Sequence, residues 1–402
     1  MTTKINNEHK KLNVPNLRFK EFQGEWEKTT IGEIATIKNG PFGSVLHAED
    51  YVDEGMPIVT TEHFKSGNLP LSKNGIPQVS EDDYCRLKGY MLETDDIVFS
   101  RVGSVDINAH VEHVQQGWLF SGRVLRVRPI KSVNSLCLHY VLSTESVKRD
   151  IRNRAVGQTM PSINTPILSN TGIYMSQSEA EQKKIANFLS IIDERIATQS
   201  KIIDKLQTLI KGIVDSTILR KEKNAIVGDV CSISEQIRAE ANIDDIITVR
   251  LHGNGVCKSS AENLQLGATQ YYRRRAGQLI YGKQNFHNGA IGIVPISLDN
   301  GITSKDIPSF DIDEMKCNSV YLLAQLQSPQ YYKPAEALTT GTGSKRLKEE
   351  TFLKMPIVLP NKREQDDIAV LIHRASMNLD HAKRLLELLS IQKQFLLRQM
   401  FI

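Results

Sequence analysis

The clearest structural pattern in the sequence lies between Ser178 and Ile213, which reads SEAEQKKIANFLSIIDERIATQSKIIDKLQTLIKGI. Ser178 followed by Glu181 fits an N-cap residue with a glutamate at the third helical position, so we expect a helix to begin here with a reciprocal capping box. Apolar residues then recur at alternating spacings of four and three, without a proline. Heptads sustained over this length predict a coiled-coil helix rather than an ordinary surface helix.

A second stretch with the same design starts at Asn361, which again has a glutamate, Glu364, three residues later. Each helix is expected to be about 40 residues long, or about 60 Å. Gln199 and Lys393 interrupt the apolar pattern and would set the register of the pair. The alternative is that each helix packs only on its own domain. The predicted seam consists of Ile185, Leu189, Ile192, Ile196, Ile203, Leu206, Ile368, Ile372, Leu379, Leu386 and Leu389.

The rest of the chain also repeats. Ile31–Ile37 resembles Val227–Ile233, and Asp96–Arg101 resembles Gln278–Lys283. Gly157, Ile163, Leu168 and Ile173 align with Gly341, Leu347, Phe352 and Ile357, and the pair Glu181-Gln182 aligns with Glu364-Gln365. The matches keep the same order at an offset of about 182 to 196 residues, which is far longer than a solenoid repeat. The sequence therefore predicts a tandem pair of whole domains, each followed by a long helix.

The segments between the helices contain short apolar runs separated by Gly, Pro and Asn, as at Asn39-Gly40-Pro41. This pattern predicts mixed α/β domains and an α+β fold class. We expect a lead segment over 1–25, a first domain over 26–177 and a central helix over 178–222. A second domain over 223–360 and a C-terminal helix over 361–402 complete the chain.

Composition excludes several protein classes. The 402 residues are 40% apolar and 24% charged with a net charge of +4, which is neither a disordered chain nor a polycation. The five cysteines form no CxxC pair, so we expect no zinc site. No long uncharged apolar run is present, and the first residues lack the apolar core of a signal peptide, so we expect a cytoplasmic protein. Phosphate-loop, GxGxxG, HExxH and Gly-x-Ser-x-Gly motifs are absent. The simplest interpretation of these absences is a non-catalytic recognition protein, and the alternative is an enzyme with an unrecognised site.

Charge is distributed unevenly along the chain. Residues 113–144, 151–178 and 263–298 contain no Asp or Glu, and the last span interleaves arginines with tyrosines. Basic patches mixed with aromatic and amide side chains suit contact with nucleic acid, while a solvated sheet face is the alternative. If residues 124–128 form a strand, Arg126 and Arg128 share one face. The candidate DNA-binding residues are Arg101, Arg126, Arg128, Arg152, Arg154, Gln158, Arg273, Arg274, Arg275, Lys283, Asn285, His287, Lys345 and Arg346.

The order of domain, capped helix, second domain and second capped helix resembles the specificity subunit of type I restriction-modification systems. The lead residues Val14-Pro15-Asn16-Leu17-Arg18-Phe19, the run from Gly89 to Ser104, and Gly157-Gln158-Thr159-Met160-Pro161-Ser162-Ile163 look like recurrent motifs of that family. The run Glu181-Gln182-Lys183-Lys184-Ile185-Ala186 looks like its helix entry. The second copy departs from the pattern at Gly343-Ser344-Lys345-Arg346-Leu347.

The resemblance implies a mechanism. Each domain would read one half of an asymmetric bipartite site in double-stranded DNA, and the helices would form an antiparallel, pseudo-two-fold spacer. Two modification subunits with S-adenosylmethionine would methylate an adenine in each half, and two restriction subunits would use ATP and Mg²⁺. No cofactor or metal is expected in this chain, which would be catalytically silent. A duplicated scaffold that binds only proteins is the competing function.

Overall fold

The computed structural model describes residues 13–41, 46–259, 269–341 and 345–402. The chain divides into two units, Met1–Thr198 with Leu386–Ile402, and Gln199–Leu385. Both long helices contribute residues to both units. Helices and strands are mixed throughout, as the predicted α+β class requires.

The described residues of unit 1 form ten strands and several short helices, which lead into the central helix. The strands are β1 Glu27–Thr30, β2 Ala35–Asn39, β3 Tyr51–Val52, β4 Met56–Val59, β5 Gln78–Val79, β6 Ile97–Ser100, β7 Asn108–His110, β8 Leu119–Phe120, β9 Val124–Pro129 and β10 Gly172–Met175. The helices are α1 Ile31–Ile34, α2 Glu81–Arg86, α3 Ser135–Leu142, α4 Glu145–Arg154, α5 Thr165–Ser169 and α6 Glu179–Val214. A π-helical turn, Asp215–Leu219, follows α6, whose residues from Gln199 onward already belong to unit 2.

Unit 2 repeats this plan with shorter strands. They are β11 Ala225–Ile226, β12 Cys231–Ile233, β13 Arg238–Ala239, β14 Ile247–Val249, β15 Val256–Lys258, β16 Tyr271–Arg273, β17 Leu279–Tyr281, β18 Ile291–Ile293, β19 Ile302–Ser304, β20 Ser309–Ile312 and β21 Pro356–Ile357. The helices are α7 Ser319–Leu326, α8 Pro329–Tyr332, α9 Glu349–Leu353 and α10 Lys362–Met400.

The sheet topology confirms the duplication. The central antiparallel sheet of unit 1 has the order β2-β9-β6-β7, and that of unit 2 has the equivalent order β12-β20-β17-β18. In each unit the first strand pairs antiparallel with the last strand, β1 with β10 and β11 with β21. Further sheets are added around each centre, β3-β5-β4-β8 in unit 1, and β13-β16-β19 with β14-β15 in unit 2.

Each long helix forms one of the two hydrogen bonds of the predicted capping box, the bond that the N-cap side chain accepts. Ser178 Oγ accepts a hydrogen bond from the Glu181 amide at 3.3 Å, and Asn361 Oδ1 accepts one from the Glu364 amide at 3.0 Å. The predicted return bonds from the glutamates are replaced by ion pairs, since Glu181 binds Arg18 at 2.7 Å and Glu364 binds Lys221. Each glutamate therefore binds a cation instead of the backbone amide of its own N-cap residue.

Within each unit the two long helices pack against each other in opposite directions. In unit 1, Ile185, Leu189 and Ile192 share one apolar cluster with Leu396 and Met400. Lys393 Nζ lies 2.5 Å from Asp193 Oδ1. In unit 2, the cluster contains Val214 and Ile218 from the end of the central helix and Ile368, Ala369 and Ile372 from the start of α10.

The two polar interruptions of the seam both find partners. Lys393 pairs with Asp193 in unit 1, and Gln199 donates to the Ala382 carbonyl at 3.0 Å in unit 2. The seam is not used for helix pairing alone, because the clusters of Ile185 and Ile368 also contain core residues of the domains. Ile196, Ile203, Leu206, Leu379, Leu386 and Leu389 are half-buried.

The described residues contain no helix that is long and apolar enough to cross a membrane. Over the same part of the chain, no group of three or more His, Cys, Asp or Glu residues could hold a metal ion.

Candidate nucleic-acid interface

Two loops of equal length occupy matching positions, one at the exit of each domain. The first is closed by paired backbone hydrogen bonds between Val156 and Ser162 (2.9 and 2.8 Å), and the second by the same pair of bonds between Thr340 and Arg346 (3.0 Å each). Gly157 and Gly341 both have positive φ, +101° and +128°. Glycine adopts this backbone conformation without strain, which explains why the aligned glycines recur.

The side chains that these loops present differ. In the first loop Gln158 is exposed and makes no side-chain hydrogen bond to the described part of the chain, and Met160 is 63% exposed. In the second loop Lys345 pairs with Glu336 at 3.1 Å, and Arg346 pairs with Asp306 at 3.3 Å. Gly343 and Ser344 lie outside the described residues. Both ion pairs are about half exposed, so they are weak and a phosphate can compete with the carboxylates.

Each loop is tied to a basic residue at the end of a central strand. The Arg101 carbonyl accepts from the Ile163 amide at 2.9 Å, and the Lys283 carbonyl accepts from the Leu347 amide at 2.9 Å. The register of Arg101 and Lys283 suggested by sequence is therefore a structural equivalence. Their side chains are engaged differently, Arg101 with the Gly122 carbonyl at 3.1 Å and Lys283 with Glu349 at 2.7 Å.

Unit 2 gathers several candidates around one short connection. Asp306, between β19 and β20, accepts from the Lys283 amide at 2.9 Å through its carbonyl and binds Arg346 through its carboxylate. Exposed Asn285 and half-buried His287 lie on the turn that follows Lys283. Lys283, Asn285, His287 and Arg346 thus belong to one region of unit 2.

Arg126 and Arg128 share a face of β9 as predicted, with Leu125 and Val127 fully buried on the other. That face is covered rather than solvated. Arg128 forms a bidentate pair with buried Asp96 at 2.7 and 2.8 Å and also binds Glu93 at 2.6 Å, and the hydrogen bonds to Asp96 raise the pKa of Arg128. Burial lowers the pKa of Arg126, with repulsion from Arg128 adding to the effect.

The arginines at the end of α4 are exposed and ion-paired. Arg152 binds Glu145 and Asp106, and these hydrogen bonds raise its pKa. Arg154 binds Asp150 at 3.0 Å and the Asn170 carbonyl at 2.9 Å. These residues stay on the surface and are accessible to a polyanion.

The three consecutive arginines of unit 2, Arg273 to Arg275, point alternately to solvent and to the interior. Arg273 and Arg275 are exposed, whereas Arg274 is completely buried. Arg274 donates to Thr303 Oγ1 at 2.7 Å, Ser309 Oγ at 2.9 Å and the Ile307 carbonyl at 2.9 Å. Its assignment as a DNA contact does not fit this structure, because a guanidinium enclosed on all sides cannot reach a phosphate.

A cleft in unit 1 contains a basic residue, Arg123, that the sequence did not single out as a DNA-binding candidate. Arg123, which is exposed, lines a cleft of about 490 Å³ together with Thr60, Thr61 and Ser121. The cleft adjoins Arg101, whose amide donates to the Arg123 carbonyl at 3.0 Å. The hydroxyl of Ser121 is buried without a partner among the described residues. The available sequence signal was the position of Arg123 within the acid-free span, directly before a strand.

Comparison with known proteins adds an independent finding. The family model for the type I restriction modification DNA specificity domain matches residues 23–208. A putative type I restriction enzyme MjaX specificity subunit from Methanocaldococcus jannaschii is 28% identical over 222 residues, which cover 51% of this chain and 48% of that protein. The chain therefore matches about half the length of that relative. The type I restriction enzyme MjaVIII specificity subunit from the same organism is 20% identical over 386 residues, with 87% of each chain covered.

Two solved structures share the fold. The S subunit of a type I restriction-modification system from M. genitalium superposes with a TM-score of 0.64 at 15% identity, covering 97% of this chain and 99% of that one. A chain from a structure on complex assembly and conformational transition of the type I R-M system gives a TM-score of 0.50 at 12% identity, covering 92% and 96%. At these identities the likeness concerns the fold alone.

Proposed function

We propose that the chain, a member of the family of type I restriction-modification specificity subunits, reads a bipartite, asymmetric site in double-stranded DNA. The observation that carries the proposal is the pair of equivalent exit loops, each bonded to a basic strand-end residue, Arg101 or Lys283. Two copies of one scaffold that present different side chains suit two half-sites of different sequence.

The exposed candidates divide by chemistry. Arg152, Arg154, Arg273 and Arg275 suit phosphate contacts, which supply affinity and salt dependence. Gln158 and Asn285 carry exposed amides that can pair with a base edge in the major groove. Arg128 is left out because its donors are used by Asp96 and Glu93, and Arg274 is left out because it is buried.

The helices serve as the spacer in this proposal. Helix α6 has 36 residues and α10 has 39, or about 55 to 60 Å at 1.5 Å per residue. A rod of this length can hold two binding domains at least one turn of DNA apart, about 34 Å. An antiparallel pair with a domain at either end would give the pseudo-two-fold arrangement expected from the sequence.

Partner subunits would supply the chemistry. Two modification subunits with S-adenosylmethionine would methylate an adenine in each half-site, and two restriction subunits would use ATP and Mg²⁺ in the cytoplasm, while this chain would itself be catalytically silent. Helix α10 offers a surface for docking, because Leu388, Ile391 and Phe395 are 53%, 55% and 57% exposed and share one side of the helix. Large exposed apolar patches commonly mark protein interfaces.

The proposal is tested by expressing the chain with its cognate modification subunit in a methylation-free host and sequencing the methylated bases of the genome. We expect one bipartite motif with unequal halves and a modified adenine in each half. A chain that only binds proteins would leave no sequence-selective methylation and no DNA complex in gel-shift experiments, and that result would reject the proposal.

A further inference from the structure

Arg274 is the largest fully buried side chain of the described residues. It follows β16, and its guanidinium reaches two other strands. Nε donates to Thr303 on β19, and Nη1 donates to Ser309 on β20. Nη2 donates to the Ile307 carbonyl in the connection between them. One side chain therefore joins the β13-β16-β19 sheet to the central sheet of unit 2.

Burying the Arg274 guanidinium lowers the free energy of unfolding. None of the described carboxylates forms an ion pair with Arg274, and its acceptors are two hydroxyls, a carbonyl and, at 3.4 Å, the amide oxygen of Gln236. Burial lowers its pKa to about 10, so the group still carries its charge at neutral pH. Moving a charge out of water without a counter-ion opposes folding, and an apolar side chain of similar volume is commonly tolerated at such sites.

An arginine nevertheless offers something that an apolar residue does not. Its planar fork fixes several acceptors at defined angles, whereas apolar packing is not directional. The backbone at Arg274 is held too, since its amide donates to the Gly301 carbonyl at 2.7 Å, and the Arg273 amide donates to the Ile237 carbonyl at 2.8 Å. The two residues beside this anchor, Arg273 and Arg275, are exposed.

We propose that Arg274 is a positioning residue for DNA binding, which locks the end of β16 so that Arg273 and Arg275 are held toward the phosphate backbone. The anchor also reaches Ile307, next to Asp306, which contacts Lys283 and Arg346. Arg274 thereby ties the arginine pair to the other basic residues of unit 2. This inference rests on the proposed DNA-binding function.

The test compares salt dependence of binding to duplex DNA of random sequence, measured with the full-length chain below the melting temperature of each variant. Removing both exposed arginines, Arg273→Ala with Arg275→Ala, should flatten the slope of log K against log salt by up to about 1.8, since each phosphate contact contributes about 0.9. Arg274→Lys keeps the charge but loses the fork, and we expect it to flatten the slope by at least half as much. Adding Arg274→Lys to the double variant should then change the slope little further.

Leu326→Ala is the matched control, because it truncates the core of the same unit on α7, and the apolar cluster of Leu326 includes none of the Arg274 hydrogen-bond acceptors. It should lower the melting temperature and leave the slope as in the wild type. Thr303→Val removes the Nε acceptor together with the hydroxyl's own hydrogen bond to the Ile307 carbonyl, and it provides a milder variant if Arg274→Lys does not fold. A wild-type slope in Arg274→Lys, or in Thr303→Val where that variant is needed, would overturn the inference and leave the DNA-binding function standing. Absence of any DNA binding by the wild type would overturn both.

Discussion

Gln182 on the central helix accepts a hydrogen bond from the backbone amide of Asn134, the N-cap of α3, at 2.7 Å. Gln365 makes the same bond to Asn318, the N-cap of α7, at 2.9 Å. Both glutamines are buried, and each donates through Nε2 to a carbonyl next to the start of its own helix. In both units one amide thus ties the long helix to the domain in front of it.

Replacing either glutamine should therefore weaken its own unit. Gln182→Met and Gln365→Met keep the volume but leave buried backbone groups unpaired, at a cost of about 1 to 3 kcal/mol each. Denaturant melts measure the loss, and Gln207→Met, at an exposed position on α6, is the control with little expected change. Equal stabilities for all three variants would show that these bonds do not hold the helices.

The pair of Lys393 and Asp193 should contribute to the register of the helices in unit 1. Both side chains are 24% exposed, and the Tyr140 hydroxyl donates to the second Asp193 oxygen at 2.8 Å. A double-mutant cycle with Lys393→Met and Asp193→Asn is expected to give a coupling energy of about 1 kcal/mol, reduced by the partial exposure of the pair. A coupling near zero would mean that the apolar seam alone sets the register.

Stability should fall in acid through His139. Its Nδ1 lies 2.7 Å from Asn108 Oδ1, and burial, reinforced by His110, Lys393 and Lys148, lowers its pKa from 6.5 to about 3. Because the unfolded chain binds a proton that the folded His139 excludes, stability is complete above pH 6.5 and falls as the pH drops from 6.5 toward 3. Other acid-sensitive groups are common to the variants and cancel in the comparison.

His139→Gln should consequently lose less stability than the wild type between about pH 7 and pH 5 in thermal or urea melts. His373→Gln, at an exposed position on α10, should retain the full pH dependence. Parallel pH profiles for the wild type and His139→Gln would contradict the assignment.

Two glycines should respond to alanine in opposite directions. Gly157 has φ +101° in the exit loop, and an added Cβ would lie 2.9 Å from the Met160 carbonyl oxygen. Gly157→Ala should therefore distort the loop and weaken DNA binding. Gly212 lies in α6 with open space around it, so Gly212→Ala should stabilise the protein by about 0.5 to 1 kcal/mol without affecting DNA binding. Equal DNA affinity in both variants would exclude the loop from the interface.

The sequence predicts the long helices, their caps and the duplication because periodicity and repeats are local or can be compared along the chain. It does not predict which arginines are exposed. Arg126 and Arg128 share one face of the strand as predicted, but Arg128 is paired with Glu93 and Asp96, which lie more than 30 residues earlier in the sequence. In the sequence Arg274 belongs to a basic cluster, and only the structure shows that it is buried and donates hydrogen bonds to Thr303 and Ser309. The purpose of the repeated Glu-Gln pair is likewise visible only in three dimensions.

In the proposed function the two domains read separate half-sites, and the helices set the distance between these half-sites. This role of the helices is tested most directly by deleting one heptad from each helix, residues 196–202 and 379–385, and repeating the methylation sequencing with the modification subunit. We expect the same bases in each half-site and a gap shortened by about three base pairs, since seven residues span about 10 Å. Altered half-site bases with an unchanged gap would contradict it.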